Sequence, residues 1–500
     1  MKRATSDTND QSTFAVPLVL DRRRALPLHA QLVQQVKARI ADRRLAPGVR
    51  LPSTRDAALL LGVSRTTVTT AYEQLLSEGY LESRRGAGTF VPASLPAVAL
   101  VKTAAIASAT TTPQVRLSDF VTRLGEWRPP SPARASTIDL TSREPDLRLF
   151  PLADWSRLLR QQMRQRPLGR PPSLDDIGGL APLREAIASY LRYARGVTCA
   201  ADQIVVVTGS QQALDLCARV LVNPGDQVAL EEPGYPEARR LFGAVGARVR
   251  PVPVDAEGLI VRRLPPQVRL AMLTPSHQYP LGMALSLTRR LELLQWAQRP
   301  DRLIIENDYD SEFRYDGSPL PALQGLGDAS RVIYLGTFSL AMFPALRIGY
   351  LVLPRPLVMP FLQAKWHTDR HTPHLEQGAL AEFIRRGHLA RHIRRMRRVY
   401  RRRRDVLLDS LHAHLGDRVS IADATSGLHV VVRFSSGRCA DQARQRGVLL
   451  LSTASCYANP ASAPAHEYLL RFSNVSERLL VEAVRRLSGV SRAPVADRQS

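Results

Sequence analysis

In "LPLHAQLVQQVKARI" the apolar residues Leu32, Val36 and Ile40 recur at four-residue spacing and place one apolar face on a helix. Pro47 and Gly48 close that segment. Ser53 with Asp56 three residues later predicts the start of a second helix, and Gly62 predicts the tight turn after it. Ser64 opens a third helix, in which Val68, Ala71, Tyr72 and Leu75 face inward while Arg65, Thr66, Thr67, Thr69 and Thr70 face solvent. "GYLESRRGAGTFV" then alternates as two short strands around Arg84, Arg85, Gly86 and Gly88.

The texture changes twice. Residues 17–92 are compactly patterned, whereas 93–136 turn to Ala, Thr, Ser and Pro and read as a flexible linker. From 137 to 490 short apolar runs alternate with longer helical patterns. Seven of them, 204–208, 227–232, 248–252, 269–274, 302–307, 332–337 and 349–353, are apolar on both faces. Such runs predict a mostly parallel sheet covered by helices on both sides, with ligands at the carboxyl ends of its strands. Polar segments stand at those ends: "TGSQQALDL" with Gly209, Ser210 and Gln211, "EEPGYP" with Tyr235, "TPSHQYPLG", "ENDYDSEFRY" and "GTFSLAMFPALRIGY". Between Arg385 and Arg404 an arginine-rich helix carries Ile393, Met396, Val399 and Tyr400 on its apolar side, so a solvated or dimer-facing helix is expected.

Composition narrows the function classes. A chain of 500 residues is too long for one core and implies several domains. No run of 18 apolar residues predicts a membrane span, and the polar "MKRATSDTND" start lacks the apolar centre of a signal peptide, so the cytoplasm is the expected location. Cys199, Cys217, Cys439 and Cys456 show no CxxC spacing, which argues against a zinc site or a disulfide framework. The net charge of +24 is carried mainly by arginine and favours a phosphate backbone as partner.

The first segment fits that partner. A short helix, a Gly turn and a helix opening on Ser64, Arg65, Thr66 and Thr67 is the geometry that sets a recognition helix in the major groove, with Arg bidentate to guanine and hydroxyls on phosphates. The hairpin with Arg84 and Arg85 adds a basic wing. In order and spacing, "PGVRLPSTRDAALLLGVSRTTV" and its surroundings resemble the GntR-type winged helix-turn-helix over about 65 residues. That resemblance implies DNA contact by Arg55, Arg65, Thr67 and the wing around Gly86 and Gly88.

Residues 137–490 resemble a fold-type I aminotransferase domain that binds pyridoxal 5'-phosphate, and the whole chain resembles the MocR (GabR-like) bacterial transcriptional regulators. The resemblance implies a small C-terminal α+β subdomain, an effector-sensing role with little turnover, and homodimers. It assigns Gly209, Ser210, Gln211, Thr337, Ser339 and Arg347 to a phosphate cup, Tyr235 to a stacking ring, Tyr309 to the cofactor's phenolic oxygen and Arg471 to a substrate carboxylate. Two positions depart from the family pattern: Leu340 stands where it has lysine, and Asn307 where it has aspartate. Leucine can form no Schiff base and shuttle no proton, and neutral asparagine cannot keep the pyridine nitrogen protonated. Asp308 is no substitute, because the next side chain on a strand points to the opposite face.

The expected protein is therefore a cytoplasmic, homodimeric regulator of a double-stranded operator. Its aminotransferase-like domain answers to a small amino compound or a vitamin B6 compound, with the cofactor noncovalent or absent. The competing expectations are a pyridoxal-phosphate-dependent aminotransferase with an accessory DNA-binding domain, against which Leu340 counts, and a DNA-binding scaffold without a small ligand.

Overall fold

The computed structural model describes residues 18–93, 115–125, 137–165, 174–317, 320–422, 424–435 and 439–489. It divides into two compact units between Arg116 and Leu117. The start of the expected first module at residue 17, most of the linker and the end at 490 lie outside the described residues.

The first unit is built as its pattern predicts. Helices Leu28–Ala41, Thr54–Leu61 and Arg65–Ser77 pack through Leu32, Val36, Ile40, Val68, Ala71, Tyr72 and Leu75, all buried in one core. Ser53 Oγ accepts from the Asp56 amide at 3.2 Å, and Gly62 ends the second helix at φ 63°, in the left-handed region. Strands β1 (Glu82–Arg84) and β2 (Gly88–Phe90) pair antiparallel as the wing.

The large unit is a sheet of β3 (Ile204–Val207), β4 (Gln227–Glu232), β5 (Arg248–Asp255), β6 (Gly258–Leu259), β7 (Leu270–Leu273), β8 (Leu303–Asp308), β9 (Val332–Thr337) and β10 (Gly349–Val352). Their spatial order is β3-β10-β9-β8-β7-β4-β5-β6. The central neighbours β9, β8, β7, β4 and β5 run parallel, while β10 is antiparallel to both β3 and β9. Core side chains cover both faces, with Val205, Leu230 and Ile333 in one cluster and Ala229, Leu273 and Ile304 in another. A four-stranded antiparallel sheet in the order β11 (Val419–Ile421), β12 (His429–Phe434), β14 (Glu467–Arg471), β13 (Leu451–Ser452) forms the smaller C-terminal part. The helix His388–Leu415 buries Ile393, Met396 and Tyr400 and leaves Arg394, Arg395 and Arg398 exposed.

One stretch of the expected linker differs. Asp119–Leu124 is a helix packed on the helix Pro236–Ala244, with Phe120 against the large unit's core. The Ala, Thr, Ser and Pro texture averaged over 93–136 conceals these six residues, whose Phe120 and Leu124 are partly covered while Val121 stays exposed.

Candidate functional site

On the winged unit Arg55, Arg65 and Thr66 are exposed, as are Arg85, Gly86 and Gly88 at the tip of the wing. Ser64 and Thr67 are engaged in the helix start: Ser64 Oγ accepts from the Thr67 amide at 3.1 Å and lies 2.8 Å from Thr67 Oγ1. Arg84 turns back on its own hairpin, donating to Glu82 Oε1 at 2.9 and 2.6 Å with its guanidinium 4.6 Å from the Phe90 ring centre. The residues free to meet a groove are thus Arg55, Arg65, Thr66 and Arg85.

In the large unit a cavity of about 270 Å³ opens at the carboxyl ends of β4, β7, β8 and β9. Ser210, Tyr235, Asn307, Tyr309, Thr337, Ser339, Leu340, Arg347 and Arg471 all line it. Gly209 stands at its edge. Gln211 does not line it with its side chain, which is exposed; its backbone belongs to the first turn of the helix Ser210–Leu221.

That helix start is one wall of an anion cradle. Free amide groups of a first turn attract negative charge, and Arg347 stands opposite, exposed and without a carboxylate partner among the described residues. Gly209 has φ 115°, a conformation L side chains rarely adopt, and a Cβ there would lie 3.0 Å from Arg347 Nη2. Thr337 Oγ1 donates to Ser339 Oγ at 3.0 Å, which fixes both hydroxyls beside the cradle.

Between the arginines the cavity walls are aromatic. Tyr235 and Tyr279 meet edge to face at 5.8 Å. The Tyr309 hydroxyl lies 3.0 Å from His277 Nδ1, and the same nitrogen is 2.8 Å from Asp310 Oδ2. With the Nδ1 hydrogen held by Asp310, Tyr309 keeps its own hydrogen for a partner in the cavity. Burial pushes the Tyr309 phenol well above its usual range, so it stays a donor. Burial likewise holds His429 neutral, and its Nε2 donates to the Pro280 carbonyl at 2.9 Å. His277, Asp310 and His429 have ligating atoms within 4.8 Å of one another, the one such grouping among the described residues, and these hydrogen bonds account for it. Asn307 Oδ1 is buried with no hydrogen-bond partner. Asp308, the next residue, bonds on the other side of β8 with Arg195, Ser311 and Tyr334, as alternation along a strand requires.

Arg471 is buried; it donates to the Thr141 carbonyl at 2.7 Å and to the Tyr279 hydroxyl at 3.1 Å. A second guanidinium, Arg143, lines the same cavity and reaches Tyr279 Oη at 3.4 Å. Sequence reasoning overlooked Arg143, which lies in the irregular "SREPD" segment. It also passed over Thr274, Tyr279 and Asp310, which stand within the strand-end segments "TPSHQYPLG" and "ENDYDSEFRY", and His429, which no sequence signal marked.

Amines are nearly absent. The chain has four lysines, Lys2, Lys37, Lys102 and Lys365, so Lys365 is the only one in the large unit. Its ammonium is fully buried, 2.8 Å from both oxygens of Asp369, and does not line the cavity. The residues present therefore fit a phosphorylated, aromatic, hydrogen-bonding group held without a covalent bond, and they offer no amine to which one could be attached.

The fold and site together define a winged helix-turn-helix joined to a fold-type I aminotransferase domain. Residues 28–91 match the family described as bacterial regulatory proteins, gntR family, and residues 160–487 match aminotransferase class I and II. The chain is 41% identical over 425 residues to a probable rhizopine catabolism regulatory protein, MocR, of Rhizobium meliloti, covering 84% of each chain. It is 35% identical to the pyridoxine biosynthesis transcriptional regulator PdxR of Corynebacterium glutamicum, covering 83% of this chain and 85% of that one. Among solved structures it resembles LysN, an α-aminoadipate aminotransferase of Thermus thermophilus complexed with N-(5'-phosphopyridoxyl)-L-leucine, at a TM-score of 0.66 and 26% identity, covering 75% of this chain and 96% of that one. The chain belongs to the MocR-type family of helix-turn-helix transcriptional regulators with an aminotransferase-like domain. No helix among the described residues is long and apolar enough to cross a membrane.

Proposed function

We propose that this regulator binds its operator through Arg55, Arg65, Thr66 and Arg85. On this reading the cavity of its large unit is an effector site that takes a phosphorylated vitamin B6 compound without forming a bond to it. Arg347, the amides of the helix start at Ser210, Thr337 and Ser339 would hold the phosphate, Tyr235 would pack on the ring, and Tyr309 would donate to its phenolic oxygen. When bound as the aldehyde, such a group supplies an electron sink for amino-group chemistry. Leu340 stands at the position where the family places lysine, so this chain provides neither the covalent anchor nor the proton carrier that transamination needs. The observation that carries the reading is the pairing of an anion cradle, Arg347 facing the helix start at Ser210, with a cavity lined by no lysine.

Asn307 supports the same conclusion. Its orphaned Oδ1 accepts a hydrogen bond from a ring nitrogen only while that nitrogen bears a proton, and a neutral amide holds such a proton far less firmly than a carboxylate. The named relatives support a link to this chemistry: one regulates pyridoxine biosynthesis and another was solved with a phosphopyridoxyl amino acid. A homodimer acting in the cytoplasm on double-stranded DNA completes the proposal. Calorimetric titration of the full chain with pyridoxamine phosphate tests it, together with an operator-binding assay with and without that compound. Saturable binding without amino-group transfer is the expected result. A protein that binds no phosphorylated B6 compound at millimolar concentration, while binding DNA normally, overturns it.

A further inference from the structure

Two guanidiniums in the cavity share one neutral partner. Arg471 donates to Tyr279 Oη at 3.1 Å and Arg143 reaches the same oxygen at 3.4 Å. Arg143 further lies 6.0 and 5.9 Å from the centres of the Tyr235 and Tyr279 rings, so the aromatic faces hold it over the cavity. No carboxylate of the described residues is within ion-pair distance of either arginine. Glu237, whose charge acts on Arg143, is paired with Arg240 at 3.6 Å. Asp310, the one acid lining the cavity, is bound to His277 at 2.8 Å. Arg471 is buried while Arg143 lines the cavity with a solvent-exposed side chain, and both guanidiniums can meet a ligand's anion without breaking an ion pair among the described residues.

The charge count points to the kind of anion the cavity suits. A bound phosphate brings about two negative charges, met by Arg347 and by the helix start at Ser210. That leaves Arg143 and Arg471. A ligand with one carboxylate neutralises one of them; a ligand with two neutralises both, each through a fork that suits a carboxylate bidentately. We infer that Arg143 is a specificity-determining residue, and that the effector is a dicarboxylic amino acid carried as its phosphopyridoxyl adduct or bound beside a phosphorylated B6 compound, one carboxylate on Arg471 and the other on Arg143. This rests on the reading of the cavity as an effector site.

The test titrates the full chain with phosphopyridoxyl-L-glutamate, phosphopyridoxyl-L-alanine and pyridoxamine phosphate, and repeats each titration with Arg143→Met and Arg143→Lys. Loss of a charge-assisted fork typically weakens binding tenfold or more, so the glutamate adduct is expected to bind about tenfold tighter than the alanine adduct. In Arg143→Met that ratio should fall to about one, and Arg143→Lys should keep part of it. Equal affinity of the unmodified protein for the two adducts overturns the inference and leaves the B6 site standing. An equal weakening of both adducts in Arg143→Met also overturns it, since that pattern marks a structural arginine. Failure of all three compounds to bind removes the effector site itself.

Discussion

Asp308 and Arg195 form a buried ion pair, Oδ2 to Nε 2.8 Å, on the side of β8 turned away from the cavity that Asn307 lines. Ser311 and Tyr334 complete the shell, donating to the same oxygen at 2.8 and 2.5 Å. Removing one partner strands the other charge in a dry place. Arg195→Met is therefore expected to cost about 3–5 kcal/mol of stability. Denaturant unfolding of the large unit's signal measures it; a loss below about 1 kcal/mol would show the pair to be hydrated.

Leu340→Lys restores the amine that the cavity lacks. After mixing with pyridoxal phosphate and reducing with borohydride, the unmodified protein should carry no cofactor on residue 340 by peptide mass spectrometry, and the Leu340→Lys variant should carry some. Combination with Asn307→Asp should raise that yield further, because a carboxylate holds the ring nitrogen's proton. Without an acid–base group at this position transamination should stay about 10²- to 10⁴-fold below that of a competent site. Cofactor trapped on Lys365 in the unmodified chain would refute the placement of the site.

Much of this arrangement was legible in the sequence, for a definable reason. Six of the seven runs, those that became β3, β4 and β7 to β10, are apolar and buried on both faces, which is what a covered central strand needs; the seventh, β5, differs, burying only Val252 and exposing Arg248 and Arg250. The polar ends of those runs fell together because parallel strands all deliver their carboxyl ends to one edge. Arg143 was not legible. It reaches the cavity from an irregular segment before the helix Leu152–Gln165, where no period ties it to Tyr279, its partner 136 residues away. The engagement of Arg84 with Glu82 and Phe90 was equally hidden, since a two-residue separation on a short strand says nothing of rotamer.

That engagement makes Arg84 unlike Arg65 in the winged unit. Arg65→Ala should weaken binding to a specific site selected from random sequence by about 1–3 kcal/mol, and weaken non-specific DNA much less. Arg84→Ala should cost less than about 1 kcal/mol on either DNA, its charge being already satisfied within the wing. Fluorescence anisotropy at fixed salt decides; equal losses on both DNAs for Arg65→Ala would reduce it to a phosphate contact.

Gly209→Ala tests the cradle by its narrowness. The new methyl group would meet Arg347 Nη2 at 3.0 Å and force a residue at φ 115° out of its accessible range. Affinity for pyridoxamine phosphate should fall by at least about tenfold, with operator binding unchanged. Unchanged affinity would mean that the phosphate sits elsewhere.

Glu231 lies behind the cavity, where Thr274 donates to its Oε2 from the amide at 3.0 Å and from the hydroxyl at 2.7 Å. Burial pushes its carboxyl from about 4.5 up to about 7. The folded chain then keeps a proton that the unfolded chain releases between those values, so this group's contribution to stability is full below about pH 4.5 and is lost as pH rises through about 7. Glu231→Gln should remove that slope, gaining on the unmodified protein by on the order of 3 kcal/mol between pH 4.5 and 7.5. Parallel pH dependences for the two proteins would place the proton elsewhere.

With Lys365 locked against Asp369 and no other lysine in the large unit, the cavity offers no amine for an imine, so the proposed effector would leave by breaking contacts alone. Occupancy then follows the free concentration outside, point by point, and washes out on dilution. On the proposed reading this chain acts as a gauge, whose response is set by a dissociation constant and resets as soon as the pool is drained.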